Sequence, residues 1–243
     1  MSIEILPLPV AGEIETGADL AALVLDAGPP LLDGDVVVLT HKAVSKAEGR
    51  IVDLSDVVPS PLALEFAEDG GDPRQIEVVL RESKRVVRRR GSLLICETHH
   101  GFICASAGVD RSNTPGDDLV VLLPEDPDAS AARIREALRA RTGRTVGVIV
   151  ADTMGRPLRN GILGTAIGVS GVEALRSLQG DIDPNGYELR TTQVAIADEL
   201  AAAADLVFGK LERVPAALIR GYAGRGDGTA CELIRSADRD LFI

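Results

Sequence analysis

The sequence predicts a mixed α/β (α+β) fold, and three observations predict it. Strand-like and helix-like segments alternate through most of the 243 residues. The apolar run at 146–150 sits between turn signals and has the length of a buried strand. Hydrophobic residues make up 45% of the chain but aromatics only 2%, with no Trp, so the core is built from Val, Leu, Ile and Ala. That mixture fits layered helices and strands better than a plain sandwich or a helix bundle.

The elements follow in order. Residues 3–8 read as a strand, 20–26 as a short helix and 35–40 as a strand. Residues 72–90 place Ile76, Val79, Leu80, Ser83 and Val87 on one helical face, after an Asp72 N-cap with Pro73 at the first helical position. On that reading the basic run 84–90 ends the helix favourably against its dipole. Residues 93–97 and 101–107 form a hairpin over "THHG", and 119–123 are another strand. Residues 129–142 are a helix with Ser130 near its start and Gly143 closing it. Residues 191–208 are an Ala-rich helix and 214–221 a strand. The cluster at 113–118 is a candidate joint between two sub-lobes of one domain spanning 1–243.

Composition excludes several classes. A net charge of −11 argues against a nucleic-acid binder, which normally shows a basic face. No apolar run approaches the roughly 20 residues that span a bilayer. The start "MSIEILPLPV" lacks a basic region and a cleavage site, so no signal peptide is expected. Cys96, Cys104 and Cys231 lack C-x-x-C spacing and read as small reduced core residues of a cytoplasmic protein. Three His without H-x-x-x-H argue against zinc. There is no G-x-x-x-x-G-K-[ST] loop, no G-x-G-x-x-G after a strand and no G-x-S-x-G elbow. "GYAGRGDG" at 221–228 reads as a surface loop with the freedom to fold over a ligand.

Three clusters carry chemistry. In "VGVIVADTMGRPLRNGILGTAIGVSG" a strand ends at Asp152-Thr153, followed by a Gly-Arg-Pro turn, Arg159 and four further glycines. A carboxylate at the carboxyl edge of a sheet lies where open α/β folds bind ligands. In "THHGFICASAGVDRSN" a second strand runs into Asp110, Ser112 and Asn113. Alone, that is an ordinary Asx-turn; with Asp152 and Thr153 it becomes a hard-oxygen set suited to Mg²⁺ or Mn²⁺ held with phosphate oxygens. In "THKAVSKAEGR" Lys42, Lys46 and Arg50 recur every four residues. They read first as a solvated helix stripe and second as a phosphate site made by Thr40, His41 and Lys46. Gly209 in "FGKLERVP" is a helix C-cap candidate, and Lys210 faces either solvent or ligand.

"SKAEGRIVDL", "AGVDRSN", "GVIVADTMGRPLRNG", "AIGVSGV" and "VPAALIRG" together span nearly the whole chain. In this order they resemble the coenzyme F420-0:L-glutamate ligases, most of all the bacterial form. There the region is often followed by a flavin-binding, nitroreductase-like domain, which this sequence does not contain.

The resemblance implies a fold without a P-loop and an intertwined homodimer with nucleotide in a groove between subunits. It implies GTP as co-substrate, two divalent cations (Mg²⁺ or Mn²⁺) with K⁺ as a further candidate ion, and F420-0 and L-glutamate as substrates. By motif match Asp110 and Asp152 would hold the first metal and Thr153 would touch the second. Pro9, Val10, Ala11, Gly12, Lys46 and Asn113 would contact GTP, with His41, Gly209 and Lys210 flanking it. Two positions depart from the family pattern: His41 stands where Ser is usual, and Lys210 where some members carry an acidic ligand of the second metal.

The chemistry implied is activation of the lactyl carboxylate of F420-0 by the γ-phosphate of GTP, then attack by the glutamate amine, with further glutamates added in turn. Arg156 and Arg159 either bind the acyl phosphate or a substrate carboxylate bidentately, or pair structurally with nearby acids. A metal-dependent phosphohydrolase built on the same carboxylates and a non-catalytic nucleotide- or F420-binding module are the alternatives.

Overall fold

The structure is a computed structural model that describes residues 2–112, 116, 118–209 and 212–240. Its elements are β1 (Glu4–Leu8), α1 (Leu20–Ala27), β2 (Val36–Thr40), α2 (His41–Ala47), β3 (Ile51–Asp53), α3 (Pro61–Ala67), α4 (Pro73–Arg81), β4 (Ser83–Arg90), β5 (Leu93–Thr98), β6 (Ile103–Ala105), β7 (Leu119–Val121), α5 (Pro127–Thr142), β8 (Gly147–Arg156), β9 (Arg159–Ser170), β10 (Arg176–Ser177), β11 (Gln193–Val194), α6 (Ile196–Phe208) and β12 (Ala216–Arg220). The mixed α/β reading holds. No described helix is long and apolar enough to cross a membrane.

A five-stranded sheet runs β1-β12-β2-β8-β9. Its one parallel pair is β2 with β8, in register from Val36↔Gly147 to Thr40↔Ala151; the other neighbours are antiparallel. The central strands are apolar on both faces, as strands covered on both sides must be. Alternation then divides their side chains between two cores. Val37, Leu39, Val148 and Val150 pack with α1, α2 and α5, while Val36, Val38, Ile149 and Ala151 pack with α6. Two glycines allow the close approach of helices to β9. A Cβ at Gly164 would lie 2.6 Å from the Ala201 carbonyl oxygen of α6, and one at Gly168 2.2 Å from that of Pro127 in α5.

A third core, including Leu54, Ala63, Ile76, Val79, Leu94, Cys96 and Val120, joins α3, α4 and the β4-β5-β6 sheet to the β3-β7 ribbon. It carries Asp110, whose backbone exchanges both hydrogen bonds with Val121.

Four sequence expectations are corrected here. The helix expected over 72–90 stops at Arg81, and residues 83–90 are β4. Ser83 Oγ donates to the Val79 carbonyl, a local bond that competes with helix continuation. Beyond it, Val86 and Val87 favour extended backbone, and Lys84 and Arg85 both pair across the sheet with Glu97. The basic run therefore meets acids on a neighbouring strand, not a helix dipole.

The helix expected from 129 starts at Pro127, because Asp126 is its N-cap and accepts from Ala129 N at 2.9 Å. Gly143 closes it in the left-handed conformation (φ 69°), as expected. The helix expected from 191 starts at Ile196, since Gln193–Val194 pair instead with Arg176–Ser177. Of the three cysteines only Cys96 and Cys104 are buried; Cys231 is exposed on a short 3-10 turn.

One ion pair ties the sheet together. Arg220 of β12 binds Asp35, at the start of β2, through Nε (2.9 Å) and Nη2 (2.6 Å), and Asp35 also accepts from Leu32 N. Asp35 is only 2% exposed. Arg220→Met would leave that carboxylate buried without its counter-charge, which costs about 3 kcal/mol. Equilibrium urea unfolding is expected to show that loss in the transition midpoint without a change in slope.

Candidate active site

The site forms where the parallel pair divides. β2 leaves the sheet at Thr40, whose Oγ1 accepts from Ala43 N (3.4 Å) and caps α2. β8 continues past its last pairing with β2, so Asp152 and Thr153 lie beside the space that β2 vacates. The expected strand end at Asp152 is thus corrected. The strand runs on to Arg156 in a hairpin with β9, and only its β2 neighbour ends. A register shift at Val150/Ala151, where β9 carries an extra residue, falls immediately before Asp152. Such bulges commonly re-aim side chains beside active sites.

These residues line a cavity of about 520 Å³. Val10, Gly12 and Glu13 close one side from the β1–α1 segment, and Gly209, Arg213 and Pro215 close another from the α6–β12 segment. His41, Lys42 and Lys46 enter from α2, and Asp110 from the third-core region.

Each α2 donor holds one carboxylate. His41 Nε2 lies 3.2 Å from Asp152 Oδ1, Lys42 Nζ 2.7 Å from Asp110 Oδ2, and Lys46 Nζ 2.9 Å from Glu13 Oε2. Asp152 Oδ1 also accepts from Thr153 N at 2.7 Å, and Asp110 Oδ1 from Ser112 N at 2.6 Å. Burial acts to raise the Asp110 pKa, but the hydrogen bonds from Lys42 and Ser112 and the Lys42 charge outweigh it, and the carboxyl is held below its ordinary value. The Lys46 hydrogen bond and charge lower Glu13 in the same way. His41 is only 2% exposed and its Nδ1 is buried without a hydrogen-bond partner. With Nε2–H donating to Asp152, Nδ1 is an acceptor, which fixes the tautomer this contact requires.

The structure brings together most of the residues the sequence nominated. Asp110, Asp152, Thr153, His41, Lys46, Val10, Gly12 and Gly209 all line the cavity. Pro9 and Ala11 lie in the same segment as Val10 and Gly12 but face solvent. Asn113 and Lys210 lie outside the described residues. Arg156 and Arg159 pair across the end of the β8–β9 hairpin and are not among the cavity-lining residues. Arg156 Nη2 holds the Asn160 carbonyl at 2.9 Å.

The solvated-stripe reading of α2 is corrected, because Lys46 is only 8% exposed and Lys42 is turned onto Asp110. Glu13, Lys42, Asp205 and Arg213 were not nominated as site residues. The i, i+4 spacing of Lys42 and Lys46 was a usable signal. Asp205 and Arg213 carry none, since only the packing of α6 on the sheet brings them to the cavity.

A family model described as F420-0:Gamma-glutamyl ligase matches residues 10–221, which include every part of this cavity. The chain belongs to that family. It is 45% identical over 251 residues to the coenzyme F420:L-glutamate ligase of Methanothermobacter thermautotrophicus, covering 100% of this chain and 97% of the relative. The Methanopyrus kandleri ligase of the same name is 45% identical over 248 residues, covering 99% and 98%. That of Methanocaldococcus jannaschii is 42% identical over 240 residues, covering 98% and 94%.

The donor set fits a hard divalent cation in a particular way. Among the described residues no three His, Cys, Asp or Glu side chains gather into a metal cage. Two carboxylates and a hydroxyl facing a roomy cavity instead suit Mg²⁺ or Mn²⁺, which keeps waters and takes its remaining oxygens from substrate phosphates.

Cys104 reports on the floor of this region. Burial, with the Asp152 carboxylate and Cys96 adding to it, pushes its thiol up to about 12. Burial raises Cys96 as well. The thiolate is the reactive form, so iodoacetamide at pH 7 is expected to label Cys231 alone in the folded protein. Peptide mass mapping checks this; labelling of Cys104 at a comparable rate would contradict the burial described.

Proposed function

We propose that this protein is a GTP-dependent coenzyme F420-0:L-glutamate ligase that works through an acyl phosphate. The observation that carries the reading is the cavity itself: two carboxylates and a threonine hydroxyl face three N–H donors of one short helix. Anionic and cationic groups in one site are what a metal–polyphosphate ligand requires. Family membership supports the ligase assignment, since the relatives named above are coenzyme F420:L-glutamate ligases.

In the proposed reaction the terminal lactyl carboxylate of F420-0 attacks the γ-phosphorus of GTP. The bond to the β–γ bridging oxygen breaks, giving an acyl phosphate and GDP. The α-amine of L-glutamate then attacks the acyl carbon, phosphate leaves, and the amine loses a proton as the amide forms. Phosphoryl transfer is mostly positioning and charge neutralisation. Asp110, Asp152 and Thr153 would hold the divalent cations (Mg²⁺ or Mn²⁺, with K⁺ as an additional candidate), whose chemistry is to offset charge on the phosphate oxygens. Lys46, Lys42 and the turn at Val10 and Gly12 would receive the phosphates. His41 would keep the Asp152 carboxylate oriented. Lys210, outside the described residues, would add charge against phosphate. Arg156 and Arg159 would bind a substrate carboxylate or the acyl phosphate if the hairpin end closes over the acceptor.

Residues 1–243 would act as one ligase unit, paired as a homodimer. The exposed Leu158, Ile162 and Leu163 on the projecting hairpin support a partner there.

The test is phosphate release from GTP with Mn²⁺ or Mg²⁺, omitting F420-0 and L-glutamate in turn and weighing the products. Release that needs both substrates, with a glutamate-sized mass gain, is expected. Release without glutamate and without mass gain would indicate a phosphohydrolase. Bound GTP without turnover would indicate a binding module. Asp152→Asn keeps the shape but loses the charge, and is expected to lower turnover by at least about 100-fold, a size common for loss of an electrostatic catalytic group. Full activity of that variant at saturating Mg²⁺ would refute the metal assignment.

Replacing His41 by Ser, the residue usual at this position in the family, removes the Nε2 contact to Asp152. The effect expected is a lower kcat with GTP KM changed less than threefold, because the histidine orients a carboxylate and holds no substrate. Second-shell partners of this kind are commonly worth about 10-fold or more. Steady-state kinetics of His41→Ser against wild type check the split.

A further inference from the structure

Asp110 has both carboxylate oxygens engaged before any ligand arrives. Oδ1 accepts from Ser112 N at 2.6 Å, and Oδ2 meets Lys42 Nζ at 2.7 Å, with the same ammonium also donating to Ser112 Oγ. The Lys42 side chain is only 16% exposed, so this is not a solvated surface pair. A cation bound to Asp110 and an ammonium on the same carboxylate would repel each other, and the repulsion is strong where water is scarce. Yet Asp110 is too sheltered to stand uncompensated when no metal is present.

We propose that Lys42 is a resident placeholder for the divalent cation on Asp110, so that metal and nucleoside triphosphate bind as a coupled pair by exchanging ion partners. The proposal rests on the metal–nucleotide reading of this cavity. Metal takes the carboxylate, and the displaced ammonium needs an anion within reach. Lysine is suited to the exchange because its charge is compact, its stem is flexible and its three donors rotate. A triphosphate in the same cavity supplies the anion. The neighbouring pairs have the same form: Lys46 is held on Glu13 and would be released to phosphate likewise. Because no three-acid cage lies among the described residues, metal alone meets two carboxylates, each already holding a donor. Neither ligand alone finds the cavity ready, and each prepares it for the other.

Coupling of this kind is reciprocal. Mn²⁺ binding to the full chain is read by electron paramagnetic resonance of the free ion, and GTP binding by calorimetry, each alone and with the other saturating. In wild type, GTP is expected to tighten Mn²⁺ binding, and Mn²⁺ to tighten GTP binding, by the same factor of about 10 or more. Lys42→Met removes the competing charge: Mn²⁺ alone should bind about tenfold tighter, GTP more weakly, and the coupling factor should fall towards one. Lys42→Arg keeps a charge at this position and should keep most of the coupling.

Asp110→Asn provides an independent arm, since it frees Lys42 in advance and GTP without metal should then bind about tenfold tighter than to wild type. Unchanged or weaker Mn²⁺ binding by Lys42→Met, or unchanged metal-free GTP binding by Asp110→Asn, overturns the placeholder. Wild type that binds no GTP even with Mn²⁺ overturns the nucleotide reading instead, and the Mn²⁺-only comparison still decides the role of Lys42.

Discussion

Five registered pairs hold β2 parallel to β8, from Val36↔Gly147 to Thr40↔Ala151, and the strands part at that point. The placement of the site follows from this parting. β2 turns into α2 at Thr40, so His41, Lys42 and Lys46 enter the gap from one side. β8 keeps going because β9 continues to pair with it, so Asp152 and Thr153 border the gap from the other. In open α/β sheets ligands gather where strands end and connections diverge. Here one parallel pair inside a largely antiparallel sheet suffices to make such a place. The cost is borne by packing: both faces of the central strands are covered by helices, and glycines at 164 and 168 let α6 and α5 approach β9 closely enough to seal the sheet.

The second organising feature is electrostatic. Asp110, Asp152 and Glu13 are brought into one cavity by three different parts of the chain, and α2 supplies an N–H donor for each. Without those donors the sheltered carboxylates would be expensive to hold together. The same donors are what a polyphosphate would seek, and the same carboxylates what a divalent cation would seek. The arrangement that keeps the empty cavity stable is therefore also the one that equips it for a charged ligand of mixed sign.

Sequence reasoning was most successful where local chemistry decides the outcome. The Asp72-Pro73 signature and Gly143 marked real helix ends, the "THHG" hairpin was legible, and the core strands stood out as short apolar runs. It failed where a distant partner overrides a local period. Residues 83–90 carry enough helical spacing to extend α4, but Glu97 and the backbone of β5 draw them into a sheet. The α2 lysines show the same limit. Their spacing is that of an ordinary solvated stripe, and burial of Lys46 depends on segments that lie far from it in the chain.

By itself the sequence determined the alternation of helices and strands, the aliphatic core, and the residue types able to bind metal and phosphate. It also placed Asp110, Asp152 and Thr153 on turns or strand margins through their glycine-rich surroundings. Those are properties of neighbours in the chain, and short-range sterics and hydrogen bonding write them directly into the sequence. Only the tertiary structure decided which charges meet. Lys42 finds Asp110, Lys46 finds Glu13, and Asp205 and Arg213 reach the cavity because α6 packs on one face of the sheet while α2 packs on the other. Contacts between residues tens of positions apart depend on how the layers stack, which no local pattern records.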